Sequence, residues 1–324
     1  MAGKQAAQAG MSHYDCPPLL FNRHLETIYP ALFRTVNNLT QPARRERIAT
    51  PDEDFLDIDW YESSPSHLVI ISHGLEGNST RAYVTGMARM ALQNSWSVLC
   101  WNYRGCSGVM NRQRRFYHSG ATDDLDTVVQ YAIYKGYTSI ALIGFSLGGN
   151  ITLKYLGETS RPGEVKRGVA ISAPVHLGSS CDEISKTHNT LYARRFLKSL
   201  KEKVRAKSNL IPLPGIDLLP AIRTLRSFDD VFTGPLHGFR DAADYYEKCS
   251  SLYYLKGIKV PALLLNAKND PFLSPRCFPD SGEINNPFIT FDFPLRGGHV
   301  GFAQFGTHGV YWSEQRTMAF LQDF

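Results

Sequence analysis

The sequence predicts an α/β protein with a mostly parallel central sheet, flanking helices and an inserted helical cap. Three observations lead there. From residue 68 onward, short apolar runs alternate with helical patterns, the rhythm of a parallel sheet covered by helices. The runs are apolar throughout, as strands buried on both faces must be. The rhythm lapses between about residues 175 and 237 and then resumes. The expected division is a core in two parts, residues 1–174 and 238–324, with residues 175–237 as the cap between them.

The elements follow in order. Residues 44–62 alternate around the turn signal Pro51-Asp52 and read as two antiparallel strands. Then come strand 68–72, helix 80–93, strand 97–103, helix 122–134, strand 139–145, helix 149–157 and strand 168–173. The interruption holds a helix at 190–206 and a Pro-rich stretch from Leu210 to Pro220. Helix 239–248, strands 262–267 and 288–293 and a final helix at 311–322 complete the chain.

Composition excludes several classes. The 324 residues are 43% hydrophobic and 20% charged, unlike a disordered or fibrous chain. A net charge of +5 is too mild for a dedicated nucleic-acid binder, so no nucleic-acid partner is expected. No run approaches the roughly 18 apolar residues of a membrane span. Met1–Gly10 lacks an apolar signal region. The expected setting is cytoplasmic, with six free cysteines. The absence of CxxC and HExxH patterns leads to the expectation of no metal and no cofactor.

The chemistry concentrates at Gly144-Phe145-Ser146-Leu147-Gly148, a G-x-S-x-G sequence between the buried strand Ile140–Ile143 and a helical pattern. Strand, sharp turn and helix are what a nucleophile elbow requires, with small residues letting neighbouring backbones approach. The helix N-terminus favours developing negative charge at Ser146. Strand 68–72 runs into His73-Gly74-Leu75-Glu76-Gly77, two elements before the elbow. A loop there supplies one backbone N–H to an oxyanion and the residue after the nucleophile supplies the other, which makes Leu75 and Leu147 the expected donors. A serine hydroxyl needs a base, and the base an orienting carboxylate. Asp270 closes an apolar strand at its carboxyl end, and His299 follows the last strand in a Gly-rich loop. Five other histidines precede Ser146 and break the order Ser, acid, His; His176, His188 and His237 belong in or beside the cap.

With these residues in view, the chain resembles the α/β-hydrolase superfamily, and closely its YheT-like esterase branch. The resemblance rests on Pro17–Ile28, His73–Gly77, Asn102–Gly108, the elbow, Asn269-Asp270-Pro271 and Gly297-Gly298-His299. It implies a serine hydrolase of carboxylic esters with Ser146, Asp270 and His299 as triad. Arg104 and the segment Tyr117–Asp124 read as structural, Arg104 paired with an acid and Thr122 or Asp123 capping a helix.

The expected reaction is acyl transfer to water through an acyl-enzyme, on short- to medium-chain esters or acylglycerols as small-molecule substrates. Two rivals share the scaffold: an acyltransferase with an alcohol or thiol acceptor, and a binding protein without turnover. Leu210, Ile211, Leu213, Ile216, Leu218 and Leu219 are acyl-pocket candidates, with plain cap packing as the alternative. Residues 186–207 carry eight Lys or Arg against Glu202, around an apolar stripe. They read as a solvated outer face, or as a basic surface in peripheral contact with anionic lipid.

Overall fold

The computed structural model describes residues 13–36, 39, 43–64, 66–158 and 161–322; Met1–Gly10 lies outside them. Eight strands among these residues form one sheet: β1 (Arg44–Ala49), β2 (Phe55–Tyr61), β3 (His67–Ser72), β4 (Ser97–Asn102), β5 (Ser139–Phe145), β6 (Val165–Ile171), β7 (Ala262–Leu265) and β8 (Ile289–Asp292). Their order is β1-β2-β4-β3-β5-β6-β7-β8. β1 pairs with β2 and β2 with β4 antiparallel, and every later pairing is parallel.

From β3 the chain steps outward to β4 and returns on the other side of β3 as β5. The loops leaving β3 and β5 therefore diverge, and their carboxyl ends border the crevice where α/β sheets bind ligands. Side chains alternate faces along each strand. Leu68, Ile70, Ile140 and Leu142 join a core shared with α3 (Thr122–Tyr134) and α4 (Leu147–Gly157). Val69, Ile71, Ala141 and Ile143 join the core on the other face, with α2 (Ala82–Gln93) and the closing helix Trp312–Gln322. Both faces are thus filled, which is why the strands read as unbroken apolar runs.

Between β6 and β7 the chain is helical, including α5 (Leu177–Ile184), α6 (Thr190–Ser208) and a helix at Ala242–Cys249. These share a third apolar cluster, in which Leu197, Val204, Leu225, Phe228 and Phe232 meet Tyr245 and Tyr246. No helix among the described residues is long and apolar enough to cross a membrane.

Several local expectations change. Helix α1 (Arg23–Phe33) was not foreseen, because Pro30 inside it breaks the usual helical pattern; Asn22 caps it by accepting from the N–H groups of His24 and Leu25. β6 begins at Val165 rather than 168, its entry masked by the polar pair Lys166-Arg167. Neither Thr122 nor Asp123 caps α3: both lie inside its first turn after Ala121. Arg104 does pair with acids, gripping Asp52, Asp54 and Asp124 at 2.7–2.9 Å from a buried position. Leu213 and Leu219 are buried in the third cluster, while Leu210 and Leu218 are exposed; none of the six residues Leu210–Leu219 proposed for the acyl pocket lines a cavity at Ser146. The basic stretch is not one outer face either, since Lys207 is fully buried and Lys203 nearly so. All six cysteines are free.

Candidate active site

The carboxyl ends of four adjacent strands place the chemistry. Ser146 follows β5, Ser172 follows β6, Asp270 lies in the loop after β7, and His299 lies after β8. Ser146 sits at φ 53° and ψ −118°, outside the ordinary regions for a residue with a side chain. That turn works only if nothing projects beside it. A Cβ at Gly144 would strike the Gly148 and Gly149 backbone, and one at Gly148 would strike the Ser72 and His73 carbonyls.

His299 bridges the site. Its Nε2 is 2.9 Å from Ser146 Oγ and its Nδ1 is 2.8 Å from Asp270 Oδ2. In this arrangement Nδ1–H donates to the carboxylate, leaving Nε2 to accept the serine proton. Asp270 is inaccessible to solvent, and burial pushes its carboxyl up against the opposing pull of His299, the Phe272 N–H and Ser172. The Phe272 ring lies 4.4 Å from the His299 ring and shields the pair on one side.

The unforeseen α1 braces the loop that carries His299. Buried Glu26 accepts from Arg296 at 2.8 Å, from Asn269 at 3.0 Å and from the Gly297 N–H at 2.6 Å. Thr27 Oγ1 accepts the His299 N–H at 3.0 Å, and Ser172 Oγ accepts the Val300 N–H at 2.9 Å. The Pro17–Ile28 motif carried this signal without revealing the role.

Leu75 and Leu147 face a common space with Ser146 and His299. Among the described residues, no protein acceptor takes either N–H. The flanking amides are engaged: Gly74 N–H donates to the Tyr83 hydroxyl at 3.0 Å and Glu76 N–H to the Tyr117 hydroxyl at 2.9 Å. His73 is fully buried and held neutral by burial, its pKa pushed down to about 3. It donates from Nδ1 to the Gly74 carbonyl and accepts the Tyr103 N–H at Nε2, so it shapes the loop. Two amides without a protein acceptor among the described residues thus lie beside a serine hydroxyl paired with an imidazole, an arrangement with the chemical capacity for acyl transfer.

Two cavities meet at Ser146 and His299. The inner one is lined by apolar side chains of the inserted helices, among them Leu177, Phe196, Val204, Leu225, Phe228 and Phe232. Asp229 also lines it, accepting from Tyr246 at 2.6 Å and from Thr233, with burial pushing its carboxyl up to about 6. The outer cavity lies between α1 and α6, bordered by Ile28, Leu32, Leu191 and Arg195.

Comparison with known proteins gives consistent matches. The family model described as serine aminopeptidase, S33 (Hydrolase_4) matches residues 63–277. The chain is 33% identical over 314 residues to "Putative esterase YheT" of Escherichia coli, across 94% of this chain and 91% of that protein. It is 29% identical to the monoacylglycerol lipase of Saccharomyces cerevisiae, across 87% of this chain and 64% of that one. Among solved structures, the Pyrococcus furiosus esterase Pf2001 superimposes with a TM-score of 0.59 at 20% identity, covering 89% of this chain and 95% of its own.

Proposed function

The chain belongs to the α/β hydrolases, and from that membership we propose that it is a serine carboxylesterase acting on short- to medium-chain acyl esters, acylglycerols among them. The observation that supports this most is the unbroken line of hydrogen bonds from Asp270 through His299 to Ser146, ending beside two unpaired amides.

In the proposed reaction, Ser146 Oγ attacks the ester carbonyl as His299 Nε2 takes its proton. The Leu75 and Leu147 amides receive the oxyanion, each donor contributing about 3 kcal/mol to the barrier reduction. Asp270 holds the tautomer and stabilises the imidazolium. His299 passes the proton to the departing alcohol, the C–O bond breaks, and the acyl group stays on Ser146. Water activated by His299 then attacks the acyl-enzyme and releases the acid. No metal or cofactor enters these steps.

The helices between β6 and β7 act as the cap, with the acyl chain in the inner cavity and the alcohol toward the outer one. At the rim of the outer cavity, Arg195, Leu191 and Leu32 are exposed, and Arg194 and Lys198 are exposed on the same helix α6. This basic and apolar rim suits peripheral contact with anionic lipid, and binding to anionic but not neutral vesicles in a sedimentation assay tests it. The proposed setting is the cytoplasm, where the free thiols stay reduced.

The decisive experiment is labelling with a fluorophosphonate, located by mass spectrometry. Modification of Ser146 is expected, and its absence in a folded sample that also fails to turn over p-nitrophenyl esters would overturn the reading.

A further inference from the structure

Glu76 follows the oxyanion residue Leu75 directly and has a left-handed backbone, at φ 52°. Its carboxylate is held in a shielded cluster by Tyr117 and two residues of α6. Oε1 accepts from the Tyr117 hydroxyl at 2.6 Å and from Lys203 Nζ at 2.7 Å, and Oε2 accepts from Ser199 at 2.8 Å. Lys203 and Ser199 both belong to α6, in the helical insertion. The Glu76 and Lys203 side chains are each 11% exposed. Lys203 is otherwise engaged by Cys106 Sγ at 3.0 Å and by the Tyr117 ring. Burial works against both charges, yet Lys203 holds Glu76 below the usual carboxylate range.

An ion pair taken out of water contributes little net stability, because desolvation offsets its attraction. What this one does provide is geometry. Tyr117 closes a ring: its hydroxyl receives the Glu76 N–H and donates to the Glu76 carboxylate. A carboxylate fixed by α6 therefore fixes the peptide immediately after Leu75. On the other side, Gly74 is fixed by Tyr83. The Leu75 amide hangs between two clamped neighbours, one clamp belonging to the core and the other reaching into the insertion.

We infer that Glu76 and Lys203 are positioning residues of the oxyanion site, through which cap helix α6 holds the Leu75 N–H in its working direction. The cap is then part of the catalytic apparatus as well as the wall of the acyl cavity. Displacing α6 loosens the oxyanion donor even with Ser146, His299 and Asp270 undisturbed. The inference rests on the esterase reading above and adds to it a coupling between cap and catalytic rate.

The test compares wild type with Ser199→Ala, with Lys203→Met, and with Glu76→Gln/Lys203→Met, which removes both charges together. Each is checked for folding by circular dichroism and assayed with a p-nitrophenyl ester. Affinity is measured for a trifluoromethyl ketone, which forms an oxyanion on Ser146, and for the product carboxylic acid, which does not. The double variant should lose about 10²-fold in kcat, the effect of losing one oxyanion donor, with KM within about threefold. Ketone affinity should fall in parallel while acid affinity holds. Ser199→Ala, which keeps both charges, should lose only about threefold to fivefold, the effect of one hydrogen bond. Folded variants with wild-type kcat and ketone affinity overturn the inference, as does a loss shared equally by ketone and acid. A wild type that reacts with neither fluorophosphonate nor ester defeats the esterase reading instead, so the two failures are distinguishable.

Discussion

At the carboxyl edge of the sheet, Ser146 is placed by backbone, through strand ends in register, a left-handed serine and glycines that let chains touch, with His299 braced besides by Glu26 and Thr27. The helices between β6 and β7, whose side chains face the same cavities, are instead held by buried polar contacts. Lys207 Nζ donates to the carbonyls of Asn111 and Gln113 at 2.6 and 2.7 Å, Asn189 donates to the Pro271 carbonyl at 2.6 Å, and Tyr246 donates to Asp229. The sheet fixes the Ser146 hydroxyl through backbone geometry that hardly deforms. The helices are pinned at points that a change of charge or a single substitution can release. Chemistry should therefore fail sharply when the first region is altered, whereas alterations of the second should change specificity, pH response and rate by degrees.

The largest expected effect tests the first half of that contrast. Ser146→Ala removes the attacking atom and leaves the elbow backbone intact. Turnover of p-nitrophenyl esters should fall about 10⁴-fold or more, while the melting temperature shifts by no more than about 2 °C. Retained turnover would show that the nucleophile lies elsewhere. Next comes Gly148→Ala, whose new Cβ would meet the carbonyls of Ser72 and His73. Neither backbone can yield without bending β3, so a loss of about 3 kcal/mol is expected in urea unfolding, at the upper end for overpacking. Activity should fall further than stability, because the Leu147 amide moves with the turn. Gly163→Ala is the control: a Cβ there meets nothing within 4 Å. Equal behaviour of the two variants would remove the close-packing argument.

This contrast also explains what the sequence revealed. The elbow, the 73–77 loop and the ends of β7 and β8 were legible because backbone demands leave local marks: glycines at fixed offsets and apolar runs that stop at a polar residue. Four of the five residues named from those marks line one cavity, and the fifth, Asp270, is bonded to His299. The long-range clamps were not legible, because Asn189–Pro271, Lys207–Asn111 and Ser199–Glu76 join residues 82, 96 and 123 positions apart with no local pattern linking them. Lys203 and Lys207 looked like surface charge because composition registers a lysine and not the carbonyl or carboxylate it meets. Glu26 and Thr27 stood in a recognisable motif, yet their task of bracing the His299 loop depends on contacts some 270 residues away.

Asp229 tests the inserted region through pH. Its carboxyl is raised from an ordinary 3.8 to about 6, chiefly by burial. A raised carboxyl favours the neutral form in the fold. The stability it contributes is complete below about pH 3.8 and is lost as pH rises through about 6. A shift of about two units corresponds to about 3 kcal/mol. Asp229→Asn cannot ionise, so its stability relative to wild type should improve by up to that amount between pH 4 and pH 7, read from urea midpoints at each pH. A difference that stays constant across the window would mean that Asp229 titrates normally and that the inner cavity is wetter than its apolar lining implies.

The smallest effects separate the two sets of apolar residues in the insertion. Leu210 and Leu218 are 70% and 50% exposed and border neither cavity at Ser146. Leu210→Ser and Leu218→Ser should each change stability by about 0.5 kcal/mol or less and leave the preferred acyl length unaltered across a C2–C12 p-nitrophenyl series. Leu225, which lines the inner cavity, provides the contrast. Leu225→Trp fills space that an acyl chain would occupy and should shift the optimum toward shorter chains. The selectivity change should be on the order of tenfold, since one methylene in an apolar pocket is worth about 1–3 kcal/mol. Should Leu218→Ser shift the optimum while Leu225→Trp does not, the acyl chain runs along the Pro-rich segment after all, and the inner cavity holds the alcohol.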